Sequence, residues 1–276
     1  MKQCIVYILI LILGQTKSAP GQTNERPAAA HKGKAIICLT YDDALESQLA
    51  NAVPQLDSFH FKGTFFINSI AGSSSVIGQG PTILIKWKSV SGTGHELGNH
   101  TLFHPCPAKF GWQKEVALDT YSISQLLNEI EVSNFYLRQI DRKFTKRSFA
   151  YPCNNFFISG IDYSDNLRKL NYLSCARAGG DANSVVVDLK TIDKYKVPSW
   201  HVKEGTTAES LIAFSQRAID STGLAIYQFH DIGGPLFEVS KESHRALLSF
   251  LRDNEDKIWV ATFSEVVAYI ESQSKE

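Results

Sequence analysis

Asp42 and Asp43 stand side by side at the end of the apolar run Ala35-Ile36-Ile37-Cys38-Leu39. The end of a strand that wants burial is a costly place for two carboxylates unless they are paired or bound to a metal. A helix cap accounts for one of them, because the stretch ALESQLANAV that follows would accept an acidic first turn. The other needs a cation. His100 and His104, four residues apart in HELGNHTLFHP, offer two imidazoles on one side of a helical turn or tight loop, close enough to share an ion. One carboxylate added to them makes a two-His, one-Asp set that suits zinc and other divalent first-row metals and leaves positions open for water or substrate. Such His pairs are common in chains without a metal, so it is the paired-Asp strand end that gives this one meaning. If one Asp binds the ion, its neighbour can face the water that the ion acidifies and act as the base.

Something has to hold these residues. Strand-like apolar runs occupy residues 35–41, 63–68, 94–99, 147–152, 172–177, 195–200, 224–229 and 258–263, with helical patterns between them. In TYSISQLLNEIEVSNFYLRQID, Ile123, Leu126, Leu127, Ile130, Phe135 and Leu137 recur at near-helical spacing, and TAESLIAFSQRAID behaves likewise. Repeated strand–helix units predict an α/β protein with a mostly parallel sheet. Seven or eight units in about 240 residues favour a (β/α) barrel, TIM-barrel-like, over an open sheet. The polar residues fall at the strand ends: Asp42-Asp43 after the first, His100 and His104 after the third, Pro152-Cys153-Asn154 after the fourth, Arg177 after the fifth, Trp200 and His201 after the sixth, His230-Asp231 after the seventh. All lie on the C-terminal side, where α/β barrels build active sites.

The chain has 276 residues, 43% hydrophobic and 20% charged, enough for one large core, and neither a repeat nor a linker divides it. Its 28 basic and 28 acidic residues balance, and short clusters such as Arg142-Lys143 and Lys146-Arg147 make no nucleic-acid footprint. At the N-terminus, Lys2, the apolar run Cys4 to Leu13 and the small and polar residues around Ser18-Ala19 have the order of an export signal, and the run is too short to span a bilayer comfortably. The expected organisation is a signal peptide over 1–19, a disordered lead-in over 20–33 and one domain over 34–276, exported to the periplasm or secreted, with no membrane span after cleavage. Loss of Cys4 leaves Cys38, Cys106, Cys153 and Cys175, which an oxidising compartment would allow to pair. Nothing in the sequence sets the oligomeric state.

In order along the chain, TYDDA, HELGNHTLFHP, FAYPCN, VPSW and AIYQFHD resemble the five motifs of the polysaccharide deacetylases of carbohydrate esterase family 4, the NodB-homology domain, and the likeness runs over roughly residues 34–272. The resemblance implies a distorted (β/α) barrel and metal-dependent hydrolysis of an acetyl group from a carbohydrate, first of all an N-acetyl group of an amino-sugar polysaccharide or oligosaccharide. Carried over by position, Asp42 is the catalytic base, and Asp43, His100 and His104 hold one divalent ion, Zn2+ ahead of Co2+, Mn2+ or Ni2+. His230 is the acid that protonates the leaving amine or alkoxide after attack by metal-activated water. The backbone N–H near Cys153 joins the ion in stabilising the oxyanion, a contribution of about 3–4 kcal/mol per donor in acyl-transfer enzymes. Trp200 and Tyr151 are expected against the acetyl or sugar group.

The chain also departs from the family pattern. Relatives acting on chitin-like chains or peptidoglycan often carry an Arg-Pro-Pro-Tyr-Gly type third motif whose Arg holds the base, whereas Ala150-Tyr151-Pro152-Cys153-Asn154 stands there in this chain. Arg177, at the end of the next strand, is the candidate replacement. The fourth motif lacks its acidic partner before Trp200, which leaves the orientation of His230 without an account. His95 reads as structural, and neither it nor His201 is read as a metal ligand. Convergence of the second and third motifs on one ion brings Cys106 near Cys153, so the resemblance favours a disulfide between them, with Cys38 and Cys175 as small core residues. Sugar recognition falls to loops 70–82 and 105–120, the second carrying Phe110 and Trp112. Two alternatives stay open: an esterase for O-acetylated, xylan-type polysaccharide, and a carbohydrate-binding relative with weak turnover. Retention of Asp42 and His230 argues against the second, since binding needs neither base nor acid.

Overall fold

The computed structural model describes residue 31, residues 33–68 and residues 81–273; the expected signal peptide, most of the lead-in and most of loop 70–82 lie outside the described residues. The elements run β1 (Ala35–Asp42), α1 (Val53–Ser58), β2 (Thr64–Ile67), α2 (Pro81–Gly92), β3 (Glu96–Asn99), α3 (Ile123–Ile140) and β4 (Arg147–Ala150). A small hairpin of β5 (Phe157–Ile158) and β6 (Ile161–Asp162) follows, then α4 (Ser164–Leu167), β7 (Leu173–Arg177) and β8 (Trp200–His201). The chain finishes with α5 (Ala208–Ser221), β9 (Leu224–Phe229), α6 (Lys241–Asp253), β10 (Ile258–Ala261) and α7 (Phe263–Gln273). Each of the helices α3, α5 and α6 begins on a hydroxyl cap: Ser122 accepts from the N–H of Gln125, Thr207 from that of Ser210, and Ser240 from that of Ser243.

The main strands lie in the order β7-β4-β3-β2-β1-β9-β8, and every one of these pairings is parallel. The two ends of that order meet in the segment before His201. Val197 bridges to Arg177 of β7, and three residues later Trp200 pairs with Tyr227 of β9. The sheet thereby curls into a distorted (β/α) barrel, and β10 pairs with the first half of β1, below the point where β2 begins. Stretch 195–200, expected as a full strand, is strand only at its end, because the chain crosses from one neighbour to the other instead of running along either.

Side chains alternate between the two faces of each strand. In β1, Ala35, Ile37, Leu39 and Tyr41 join an outer core with Leu56 of α1, Phe214 of α5 and Leu247 of α6. Ile36 and Cys38 join an inner cluster with Phe66, Ala150, Cys175, Ile226 and Phe263. Burying each such leucine or phenylalanine contributes about 1.5–3 kcal/mol. Above this layer sits the buried Glu96, whose carboxylate accepts from the Ser148 hydroxyl at 2.5 Å, the Thr64 hydroxyl at 2.9 Å and the N–H of Ser264 at 2.9 Å. It thus joins three parts of the barrel to the first turn of α7. Among the described residues no helix is long and apolar enough to cross a membrane.

Candidate active site

The same alternation that puts Asp42 on the inner face of β1 brings Asn68, His100, Arg177, Gln228 and His230 to the inner face at the same barrel end. His100 is buried, and its Nδ1–H donates to the carbonyl of Ala150 at 2.8 Å, which turns the Nε2 lone pair towards Asp43 Oδ1 at 3.6 Å. Burial holds its pKa down at about 4, so the ring is neutral and able to ligate. His104 Nε2 lies 3.3 Å from the same oxygen, to which Asn68 Nδ2–H donates at 3.0 Å. Ligand atoms of Asp43, His100 and His104 all fall within 4.8 Å of one another. Imidazoles and one carboxylate, with neighbours fixing the His100 ring and the Asp43 carboxylate, fit a divalent ion of the zinc kind.

Asp42 is engaged on one side only. Its Oδ2 accepts from Arg177 Nη2 at 2.5 Å and Gln228 Nε2 at 2.9 Å, while Oδ1 is buried with no hydrogen-bond partner among the described residues. Burial alone would raise this carboxyl, but the Arg177 charge, aided by His100 and His230, holds it down at about 2. Arg177, itself fully buried, donates from Nη1 to Ser199 Oγ at 3.0 Å and lies over the Phe66 ring at 5.1 Å. Gln48, in a π-turn over Gln48–Ala52, donates to the carbonyls of Asp42 at 2.5 Å and His230 at 3.1 Å, tying the two strand ends together. His230 Nε2 reaches to 3.8 Å from Asp43 Oδ2.

Cys106 and Cys153 are disulfide-bonded, with Cα atoms 5.7 Å apart. Cys153 adopts φ 51°, and among the described residues no backbone acceptor takes its N–H. Asp43, Thr101, His104 and Asn154 also have positive φ, at 76°, 66°, 52° and 54°. Each such residue costs about 1–3 kcal/mol, and strain of this kind persists where the surroundings over-determine the backbone. Here the bridge, the Asn68 contact and a bond from the N–H of His104 to Thr101 Oγ1 at 2.9 Å provide that restraint.

Residues 29–170, just over half of the chain, match the family model described as polysaccharide deacetylase. The chain belongs to the polysaccharide deacetylase family. Its fold is similar to that of the chitin deacetylase of the fungal pathogen Colletotrichum lindemuthianum, at 18% identity and a TM-score of 0.55 over 85% of this chain and 88% of that one. A family 4 acetyl xylan esterase from Clostridium thermocellum in complex with a cobalt ion gives 18% and 0.54 over 84% and 90%. A CE4 family pseudoenzyme from Bacillus anthracis gives 17% and 0.52 over 86% and 66%. At these identities the likeness is one of fold. No curated protein sequence matches at a significant level.

Two residues expected against the acetyl or sugar group are buried in the structure. Tyr151 is fully buried on the outer face, where its hydroxyl donates to the carbonyl of Tyr195 at 2.8 Å, so it has no surface to offer a sugar. Trp200 is 8% exposed and packs on Phe214 of α5 and Tyr227 at 5.1 and 5.9 Å, leaving only an edge. The inner positions of the fourth motif are its neighbours, Ser199 and His201. In loop 105–120, Phe110 is 52% exposed and the Trp112 ring lies 5.8 Å from His104. Asn68, Gln48, Ser199 and Gln228 escaped the sequence reading. The available signal was the one that exposed Asp42: a polar side chain on the inner face at the end of an apolar strand, which both Asn68 and Gln228 provide.

Proposed function

We propose that the protein is a metal-dependent carbohydrate deacetylase that hydrolyses acetyl groups, first of all N-acetyl groups of an amino-sugar polysaccharide or oligosaccharide. The observation that carries this reading is the divided carboxylate of Asp42. One oxygen is pinned by Arg177 and Gln228, and the other is buried, ionised and unpartnered beside the Asp43, His100 and His104 set. A base for water has that form. A divalent ion held by those three residues, Zn2+ ahead of Co2+, Mn2+ or Ni2+, would supply Lewis acidity towards water and the acetyl carbonyl.

Asp42 Oδ1 takes a proton from the attacking water, and Arg177 keeps the carboxylate ionised and aimed. The Cys153 N–H donates to the developing oxyanion. His230 Nε2 delivers a proton to the departing nitrogen, which an amine needs more than a good leaving group does. Trp112 beside His104 and Phe237, 41% exposed beside His230, give the site an aromatic ring on two sides, suited to the faces of a pyranose. The Cys106–Cys153 bridge supports the export read from residues 1–19. A protein that only bound carbohydrate would have no use for a base clamped by a buried arginine.

Acetate release from N-acetylated chito-oligosaccharides and from acetylated xylan, with Zn2+ or Co2+ added, tests the reading. Release from the amino-sugar substrate is the expected result. Release from xylan alone transfers the activity to the ester alternative, and release from neither overturns it.

A further inference from the structure

His230 carries its Nε2 towards the site, so the orientation of the ring depends on what holds Nδ1. That atom is buried and has no hydrogen-bond partner among the described residues, and the same holds for Nε2 of His201. The two rings have centroids 5.2 Å apart at 43°, and Phe237 packs against both, at 5.0 Å from His230 and 5.2 Å from His201. Backbone register puts them on one face. His201 is the parallel partner of Gln228, whose amide holds Asp42, and His230 follows Gln228 by two residues.

The nearby amide oxygens of Gln48 and Gln228 are also buried without a partner, but two charged neighbours are engaged elsewhere. Arg177 uses its Nη atoms on Asp42 and Ser199, and Asp231 binds the Ser47 hydroxyl and the N–H of Leu236. We propose that His201 is the positioning residue for His230: its Nε2 accepts the His230 Nδ1–H through one water, and so keeps the His230 Nε2 lone pair turned into the site, where it takes up the proton that it then passes to the leaving group. Burial holds His201 at about 4, which keeps it a neutral acceptor near neutral pH. This inference rests on the acid role of His230 proposed above, and it fills the place of the acidic residue missing before Trp200.

Both a spectroscopic and a kinetic measurement decide it. With only 8 histidines, long-range 1H–15N correlation of the zinc-loaded, 15N-His-labelled protein resolves each tautomer, with His230 assigned through His230→Ala. The wild type is expected to show His230 as a single Nδ1–H tautomer, and His201→Phe a mixture. On an N-acetylated oligosaccharide, His201→Phe is expected to lower kcat by about 10–100-fold with KM unchanged, while 4-nitrophenyl acetate, whose leaving group needs no proton, changes by less than about twofold. His201→Gln, which keeps an acceptor, restores most of the loss. If His201→Phe does not fold, His201→Asn, too short to span the gap, reads the same difference. An unchanged His230 tautomer together with an unchanged kcat in a folded, metal-loaded variant overturns the proposal. Lack of turnover in the wild type removes the acid role and the function with it, while the tautomer still decides whether the two rings are coupled.

Discussion

Arg177 is the parallel-register partner of Ala150, so the guanidinium enters the site from the strand beside the one where the family's third motif usually carries its arginine. It reaches Asp42 across a sequence separation of 135 residues. The guanidinium sits one strand to the side while its charge stays over Asp42.

That displacement can be tested by moving it back. Arg177→Ala is expected to lower kcat by about 100-fold or more, because it leaves Asp42 buried without its counter-charge. Adding Ala150→Arg should recover part of the loss. Arg177→Lys should recover little, since one ammonium cannot reproduce the fork that holds Asp42 and Ser199 together. Steady-state rates on an acetylated oligosaccharide check all three.

His104→Ala should lose bound ion and turnover together, and full metal content with full activity in that variant would remove His104 from the ligand set. Asn68→Ala, which frees Asp43 from its hydrogen bond, should weaken metal affinity by about 10–100-fold without abolishing it. Elemental analysis after dialysis, and activity after chelation and zinc restoration, measure both.

Asp42→Asn is expected to keep the ion and lose about 10²–10⁴ in kcat. His230→Ala should also keep it, with the larger loss on amides and a smaller one on 4-nitrophenyl acetate. Equal losses on both substrates would argue that His230 does something other than protonate the leaving group.

Cys153→Ser opens a bridge that spans 47 residues of sequence. The loop-closure entropy lost to the unfolded chain predicts a destabilisation of about 4 kcal/mol before native strain is subtracted. Denaturant melts of the variant and of the dithiothreitol-treated wild type should agree, and Cys106 should resist alkylation in the native, unreduced protein.

His244 lies buried between the Tyr41 hydroxyl and Gln55 Oε1, each at 2.7 Å, and burial holds it at about 3. An unfolded histidine takes up its proton near 6.5, so the unfolded chain gains a proton that the folded protein refuses as pH falls between these values. Stability present above pH 6.5 should therefore drain away towards pH 3, at about 1.4 kcal/mol per pH unit for this side chain. In His244→Gln the slope of unfolding free energy against pH over this range should be shallower by about that amount.

The barrel, and the convergence of Asp42, Asp43, His100 and His104 at one end of it, were legible in the amino-acid sequence because their signals are local. Strand alternation has a period of two residues, and a charged or imidazole side chain at the end of an apolar run declares itself without reference to any neighbour. What the sequence could not determine was which strands adjoin and which face each strand end presents. Arg177 could be placed over Asp42 only once β7 was known to lie against β4 and close onto Val197. Trp200, an attractive wall for a sugar, faces α5 because a shift of one residue exchanges the two sides of a strand, and that register was set by pairing with Tyr227 in distant β9. By the same shift Ser199 and His201 face inwards. Gln48 and Asn68 reach the site from other turns and strands, through hydrogen bonds that exist only after the barrel has closed.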